Sequence, residues 1–178
     1  MSTPPSVPGT PAFTPAPEAK AIALVGPSNS GKTELICGLL KWFAARNLRV
    51  AVLKHTHKQH LGDEEKDTGR YRAAGGRLVA LAAPGLLQVN RLFPGEPALG
   101  AILSQLAPEV DLILVEGYKT SGLPKVGVVG PFVPPILPDY PQLVAWVSQA
   151  NLATALPVFH PSQVAEIGGF IQAQLGCL

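Results

Sequence analysis

The segment GPSNSGKT, at residues 26–33, has the residue types and spacing of a phosphate-binding loop, G-x-x-x-x-G-K-[ST]. Glycine adopts positive φ readily and lets the backbone approach a ligand, so that successive N–H groups can surround a phosphate. The Lys32 ammonium would contact the β and γ oxygens, and the Thr33 hydroxyl would ligate Mg²⁺. The sequence therefore predicts a nucleotide site whose binding residues are Gly26, Ser28, Asn29, Ser30, Gly31, Lys32, Thr33 and Glu34.

A second acidic element follows the apolar run at residues 112–115, which ends in Glu116 and Gly117. In proteins with a phosphate loop, an acid at such a strand end holds Mg²⁺, usually through water, beside the loop threonine. The glycine would let the backbone approach the γ-phosphate. We expect Thr33 and Glu116 to form the metal site, and the alternative is an ordinary strand-terminal glutamate that faces solvent.

Three of the four histidines lie in the segment KHTHKQH, at residues 54–60, just after a predicted strand. Neutral imidazoles at the spacing of His55, His57 and His60 could collect Zn²⁺ or Ni²⁺. Alternatively, Lys54 and the histidines could donate hydrogen bonds to an anionic ligand. The two lysines disfavour a bound cation, so contact with an anion is the favoured interpretation, and a solvated loop is the third.

Charged residues recur in the next predicted helix, at residues 66–74. Asp67 is a candidate catalytic residue beside Lys32, because its carboxylate could ligate a metal or orient a water molecule. Arg70 and Arg72 could bind a second phosphorylated ligand, since a guanidinium matches phosphate geometry with two hydrogen bonds. The alternative is a set of charges on a solvated helix face.

Alternating apolar strands and amphipathic helices must position these residues. Buried strand patterns at residues 21–25 and 49–53 flank a helical pattern at residues 33–46, which predicts a right-handed strand–helix–strand unit with parallel strands. Further strand patterns occur at residues 77–82, 86–90, 111–116, 126–129 and 144–148, and further helical patterns at residues 97–106 and 163–175. The predicted fold class is α/β, a P-loop NTPase-type three-layer sandwich with a mainly parallel sheet.

The amino-acid composition limits the classes of protein to which the chain can belong. The chain has 178 residues, 47% of them hydrophobic and 15% charged, so it can form one packed domain and is not wholly disordered. A net charge of +2 argues against a nucleic-acid partner, and no apolar run is long enough to span a membrane. Residues 1–18, with six prolines, are predicted to be a flexible tail before a nucleotide-binding domain at residues 19–178. Two cysteines without a secretory segment indicate a cytoplasmic protein.

In combination, these motifs resemble the molybdopterin-guanine dinucleotide biosynthesis protein B (MobB) family. The resemblance is carried, in family order, by GPSNSGKT, VAVLKHTHKQH, KDTGRYRAAGG and LILVEGYK followed by Pro124-Lys125-Val126. It implies a GTP- and Mg²⁺-binding protein, usually a homodimer, that assists a MobA-type guanylyltransferase in the last step of molybdenum cofactor maturation. It also implies slow GTP hydrolysis at most, with the molybdopterin cofactor as a possible direct ligand.

The resemblance departs from the family pattern at two places, the first being His60, which follows Lys58-Gln59 where family members often have their histidines closer together. The resemblance also extends to single positions. It implies phosphate and Mg²⁺ binding by Lys32 and Thr33, and it includes His55, His57, Asp67 and Arg70 without a settled chemical role. Where family members commonly end a strand in Ser/Thr-Asp, this chain has Ser148-Gln149, which weakens the expected preference for guanine. The alternatives are a GTP-dependent metallochaperone that uses the histidines, a small-molecule kinase that uses Asp67 and the arginines, and a non-catalytic scaffold.

Overall fold

A computed structural model describes residues 20–57, 62–131, 134 and 136–177. The predicted tail at residues 1–18 and His60 lie outside the described residues. Strand β1 (Ala21–Val25), helix α1 (Lys32–Ala44) and strand β2 (Val50–Lys54) form the predicted strand–helix–strand unit. Every residue of β1 is buried, as its continuous apolar sequence requires of a strand covered on both faces.

The other elements lie close to their predicted positions. They are α2 (Asp67–Ala73), β3 (Leu78–Ala83), β4 (Leu86–Arg91), α3 (Leu99–Leu106), a short 3-10 helix (Ala107–Glu109), β5 (Leu112–Glu116), β6 (Lys125–Val128), β7 (Leu143–Val147), β8 (Val158–Phe159) and α4 (Val164–Leu175). The two-residue strand β8 was not predicted, because it is too short to show a pattern. None of the described helices is both long and apolar enough to cross a bilayer.

Six strands form one parallel sheet in the order β2-β5-β1-β6-β7-β8, which confirms the predicted mainly parallel sheet. In parallel strands the carboxyl ends meet at one edge, where ligands of α/β proteins bind. The register places Glu116 of β5 beside Leu24 of β1 and Lys54 of β2. The phosphate loop after β1 and the acidic turn after β5 therefore share one edge of the sheet.

Helices cover both faces of this sheet, which confirms the three-layer architecture. Helices α1 and α4 pack on one face, where Leu39, Phe43 and Ile167 belong to one buried cluster. Helix α3 covers the other face through Leu103, which packs with Ile113 and the small residues of β1. Helical spacing of apolar residues places them on the buried side of each helix.

Strands β3 and β4 do not join the main sheet and form a separate antiparallel hairpin. The connection is Pro84-Gly85, in which Gly85 has φ +75°, as the third position of a type II turn requires. Directly opposed residues of the two strands share a face, so one face carries Leu78, Ala80, Ala82, Leu87, Val89 and Arg91. These residues are exposed.

Lys125 of β6 is fully buried. Its ammonium donates hydrogen bonds to the carbonyl oxygens of Leu123 at 2.9 Å, of Pro141 at 2.8 Å and of Ser121. A buried ammonium is tolerated only when its protons are bonded. Lys125 thus ties the loop that follows β5 to the segment that precedes β7.

Candidate functional site

The phosphate loop turns sharply between β1 and α1, and its glycines are required by the backbone. A Cβ at Gly26 would lie 2.2 Å from the carbonyl oxygen of Val128, so no larger residue fits there. Gly31 has φ +89° and precedes the first residue of α1, and Asn29 also lies in the left-handed region at φ +60°. The N-terminus of α1 therefore opens directly onto the loop, where its unpaired N–H groups and dipole favour an anion.

Lys32, the first residue of α1, folds back over this loop. Its ammonium donates hydrogen bonds to the Gly26 carbonyl oxygen at 3.3 Å, to the Ser30 hydroxyl at 3.2 Å and to the Pro27 carbonyl oxygen. Burial lowers the pKa of Lys32 below its usual value, the Lys119 and Lys54 ammonium groups lower it further, and Glu116 acts in the opposite direction. A phosphate anion placed here would relieve the repulsion between these ammonium groups.

Glu116 lies half-buried at the end of β5, and its Oε2 is 3.1 Å from Lys54 Nζ. The Gly117 N–H donates to the Leu24 carbonyl oxygen at 3.2 Å, which fixes the turn against β1. A Cβ at Gly117 would lie 3.0 Å from His55 Cβ, and Gly117 has φ +103°. The glycine is therefore needed for the close approach of the β2 and β5 loops.

One cavity of about 1320 Å³ joins these elements. It is lined by Gly26, Ser28, Asn29, Gly31, Lys32, Thr33, Glu34, Lys54, His55, Thr56, His57, Glu96, Glu116, Gly117, Tyr118, Lys119 and Thr120. Most of the residues predicted from the phosphate loop, the histidine segment and the acidic turn thus line a single space. Ser30, also predicted, is buried beneath the loop and bonded to Lys32.

His55 contacts Glu96, which sequence reasoning did not assign to the site, as well as Tyr118 and the predicted His57. Its Nε2 lies 2.8 Å from Glu96 Oε1, its ring lies 4.4 Å from the Tyr118 ring, and the His57 ring approaches it edge-on at 4.7 Å. Glu96 precedes α3, far from the phosphate loop in sequence, and no motif marks it. Only the folded chain brings it to the cavity.

A second cavity, of about 310 Å³, adjoins the loop on the side of β6 and β7. It shares Asn29, Gly31 and Glu34 with the larger cavity. Its remaining lining is mostly apolar, with Gln149 at the end of β7, and comprises Ser30, Leu35, Val128, Val129, Gly130, Pro131, Val147, Gln149, Pro161 and Val164. A mostly apolar cavity with the amide groups of Asn29 and Gln149 in its lining suits a planar nucleobase.

The structure does not bring Asp67 and Arg70 to either cavity's described lining. Both are exposed residues of the seven-residue helix α2. Arg72 instead makes a two-bond ion pair with Asp63, with Arg72 Nη1 at 2.8 Å from Asp63 Oδ2. This guanidinium, with the Thr68 hydroxyl, lowers the pKa of Asp63 to about 2. The catalytic role of Asp67 and the phosphate-binding role of Arg70 stay predictions.

Within residues 20–57, 62–131, 134 and 136–177, no group of three or more His, Cys, Asp or Glu side chains could hold a metal ion. His60 lies outside that range. The described residues therefore give the metallochaperone alternative no support.

The parallel sheet with β1 at its centre, the glycine-rich turn into α1 and the acidic strand end beside it define a P-loop NTPase-type α/β protein. The family profile described as "Molybdopterin guanine dinucleotide synthesis protein B" (MobB) matches residues 21–149. Because this match covers most of the chain, the chain belongs to the MobB family.

Curated relatives support the same family. The chain is 36% identical over 107 residues to the molybdopterin-guanine dinucleotide biosynthesis adapter protein of Haemophilus influenzae, a match that covers 59% of this chain and 60% of that protein. It is 31% identical over 109 residues to the adapter protein of the same name from Escherichia coli, covering 59% and 62%. The chain therefore matches only about three fifths of the length of these relatives.

Solved structures agree in fold. A crystal structure of molybdopterin-guanine biosynthesis protein B superposes with a TM-score of 0.69 at 26% identity and covers 87% of this chain and 98% of that chain. The MobB homolog of Bacillus stearothermophilus superposes with a TM-score of 0.64 at 23% identity, covering 89% and 99%. The second likeness bears on the fold alone.

Proposed function

We propose that the protein is a GTP-binding accessory protein of molybdenum cofactor biosynthesis that assists the guanylyltransferase step. The observation that carries the proposal is the single cavity in which the phosphate loop, Lys32 and Glu116 meet. The names of the relatives place them in molybdopterin-guanine dinucleotide biosynthesis as adapter proteins, which supports a role beside another enzyme of that pathway. Both cysteines are free thiols, which supports a cytoplasmic setting.

Magnesium is the metal that suits this donor set. Thr33 and Glu116 line the same cavity and offer hard oxygen ligands, which Mg²⁺ prefers. The ion pair with Lys54 uses one carboxylate oxygen of Glu116, and a carboxylate retains acceptor capacity for a metal-bound water. We infer that Thr33 binds the ion directly and that Glu116 holds it through water.

Hydrolysis of GTP should be slow without a partner. A general base must lie within hydrogen-bond reach of the attacking water and be able to accept its proton. Glu116 is paired with Lys54, and Glu96 is paired with His55. Asp67, the sequence-predicted candidate, is not among the residues that line the cavity. The arrangement supports binding more strongly than turnover.

We also infer a homodimer that forms through the hairpin of β3 and β4. An isolated two-stranded hairpin is marginally stable in water, and this one exposes Leu78, Leu87 and Val89 on one face with 58%, 65% and 50% of their surface accessible. Between Leu78 and Asn90 the hairpin carries no charged side chain. A second copy fits this surface because each copy presents the same apolar residues, and the charged Arg91 lies at the end of the face, opposite Leu78.

Nucleotide titration tests the proposed function. Wild-type protein and Lys32→Ala are titrated with GTP and ATP, each with and without Mg²⁺, by isothermal calorimetry. Loss of the Lys32 ammonium should weaken Mg²⁺–GTP binding by roughly 10–100-fold, the range for a hydrogen bond to a charged group. Lys41→Ala, an exposed lysine later in the same helix, is the matched control. Failure of the wild-type protein to bind either nucleotide would refute the proposal.

A further inference from the structure

The larger cavity is bigger than one nucleotide needs. Its volume of about 1320 Å³ exceeds the ~300–1000 Å³ of ordinary ligand pockets. The adjoining apolar cavity of about 310 Å³ suits the base, so the nucleoside would leave the larger cavity at Asn29, Gly31 and Glu34, which both cavities share. The wall of the larger cavity at the ends of β2 and β5, where His55 and Tyr118 lie, is then free to bind a second ligand.

That wall is built from ring systems and a carboxylate. The rings of His55 and Tyr118 are tilted by 33° at a centroid distance of 4.4 Å, and His57 meets His55 edge-on. Glu96 reaches the same place from the segment before α3, and its Oε1 lies 2.8 Å from His55 Nε2. Planar rings stack on aromatic walls, and a carboxylate accepts hydrogen bonds from ring N–H and amino groups.

The backbone is bent to present this wall. Tyr118 has φ +50°, which is uncommon for a residue other than glycine, and it follows Gly117 at φ +103°. Two successive residues with positive φ thus form the turn from which the Tyr118 ring contacts the His55 ring. Backbone strain of this kind persists at binding sites because the surrounding structure enforces it.

Cations lie between this wall and the phosphate loop. Lys54 and Lys119 line the cavity with Lys32. Glu116 neutralises Lys54 in part, and no carboxylate of the described residues forms an ion pair with Lys119. An anionic group on the second ligand would be attracted to this position.

We propose that the wall of His55, Tyr118 and Glu96 binds a phosphorylated nitrogen heterocycle of the pterin type, beside the nucleotide. The ring stacks against His55 and Tyr118, Glu96 accepts hydrogen bonds from its N–H edge, and its phosphate faces Lys54 and Lys119. This inference rests on the proposed function, since the pathway supplies the pterin. The inference goes beyond the proposed function in one respect, namely that this chain binds the nucleotide and the pterin at the same time. It involves no covalent step on this chain.

The test uses neopterin monophosphate, whose ring is fluorescent, as the probe. Fluorescence anisotropy is measured for the full chain alone and for the chain saturated with Mg²⁺ and a non-hydrolysable GTP analogue. The probe should bind in both cases. Competition with unphosphorylated neopterin measures the contribution of the ring to binding, and competition with excess inorganic phosphate measures that of the phosphate. Glu96→Gln should weaken probe binding by about tenfold, because it removes a charged acceptor of nearly the same shape.

Glu109→Gln, an exposed glutamate of the 3-10 helix outside the cavity, is the matched control for Glu96→Gln. Tyr118→Asn removes the aromatic ring, and asparagine tolerates the positive φ of this position. This variant should therefore also lose its affinity for the probe. Nucleotide affinity should change less than about twofold in these variants, because neither side chain belongs to the phosphate loop.

Three outcomes would overturn the second site. They are no binding of the probe, competition between the probe and the GTP analogue, and equal probe affinity in Glu96→Gln and Glu109→Gln. A chain that binds the analogue but not the probe refutes this inference and leaves the proposed function intact. A chain that binds the probe but no nucleotide supports the second site and refutes the proposed function.

Discussion

Lys54 Nζ lies 3.1 Å from Glu116 Oε2, across the paired ends of strands β2 and β5. The lysine is mostly exposed, whereas Glu116 is only 15% accessible. An ammonium thus compensates the carboxylate that we assign to the metal. Binding of Mg²⁺ would add positive charge beside this pair, and the γ-phosphate would supply the negative charge that allows Lys54 to turn toward it.

Glu116→Gln should reduce the effect of Mg²⁺ on GTP affinity by roughly 10–100-fold, the range for loss of an outer-shell metal partner. Affinity for GTP without metal should change little, because the phosphate loop is intact. The measurement is calorimetric titration with and without Mg²⁺, with Glu109→Gln as control. An unchanged Mg²⁺ effect would remove Glu116 from the metal site.

Gln149→Asp should raise the preference for GTP over ATP by about tenfold, because a carboxylate accepts both N–H donors of the guanine edge. Gln149 lines the smaller cavity at the end of β7, so the change acts on the base alone. Competition between the two nucleotides measures the ratio. Gln174→Asp, an exposed position near the end of α4, makes the same chemical change away from the site. Equal ratios in the two variants would argue against the smaller cavity as the base site.

Leu87→Lys should convert the proposed dimer to a monomer, because it places a charge among the exposed apolar residues of this face of the hairpin. Sedimentation velocity at micromolar concentration gives the oligomeric state. Gln88→Lys adds the same charge on the opposite face of β4 and should leave the dimer intact. A monomeric wild-type protein would contradict the proposed homodimer.

Gly168→Ala and Gly169→Ala should have opposite effects on stability, although the residues are neighbours in α4. A Cβ at Gly168 would lie 2.4 Å from the Trp42 ring and should cost about 1–3 kcal/mol of unfolding free energy through forced repacking. A Cβ at Gly169 meets nothing within 4 Å and should add roughly 0.5–1 kcal/mol through helix propensity. Urea denaturation measures both. Two effects of the same sign would contradict the packing of α1 on α4.

Asp63→Asn should lower the melting temperature at neutral pH, because the Arg72 ion pair stabilises the folded chain only while Asp63 is ionised. The pKa of Asp63 falls from 3.8 to about 2 on folding, so the stabilisation is present above the unfolded value and is lost as the pH falls toward 2. Circular dichroism melts of the two proteins should therefore converge in acid. Asp139→Asn, at an exposed position, is the control. A difference that persists or grows in acid would contradict this role.

Local sequence patterns predicted most of the fold. The buried run of β1 and the apolar spacing of α1 gave the strand–helix–strand unit, and the phosphate loop lay between them as expected. The place of β3 and β4 could not be read in the same way, since strand patterns do not reveal which strands pair. The Pro84-Gly85 dipeptide was the available signal for a hairpin.

The site was predicted where its residues are adjacent in sequence and missed where folding alone joins them. Lys32, Thr33 and Glu116 share the cavity because the phosphate loop and the acidic strand end both carry recognisable patterns. Glu96 contacts His55 across 41 positions of sequence, and no local rule forecasts such a contact. Asp67 belongs to the segment that resembles the family, yet it is not among the described residues that line the cavity.

The enclosed ammonium of Lys125 bears on how a ligand meets the cavity wall. Its carbonyl partners include Ser121 and Leu123, only a few positions after Tyr118. The segment that presents the tyrosine is consequently anchored from inside the protein, by a group that is not among the residues lining the cavity. The ring that we propose as a ligand would meet a preorganised surface, so little conformational entropy would be lost on binding.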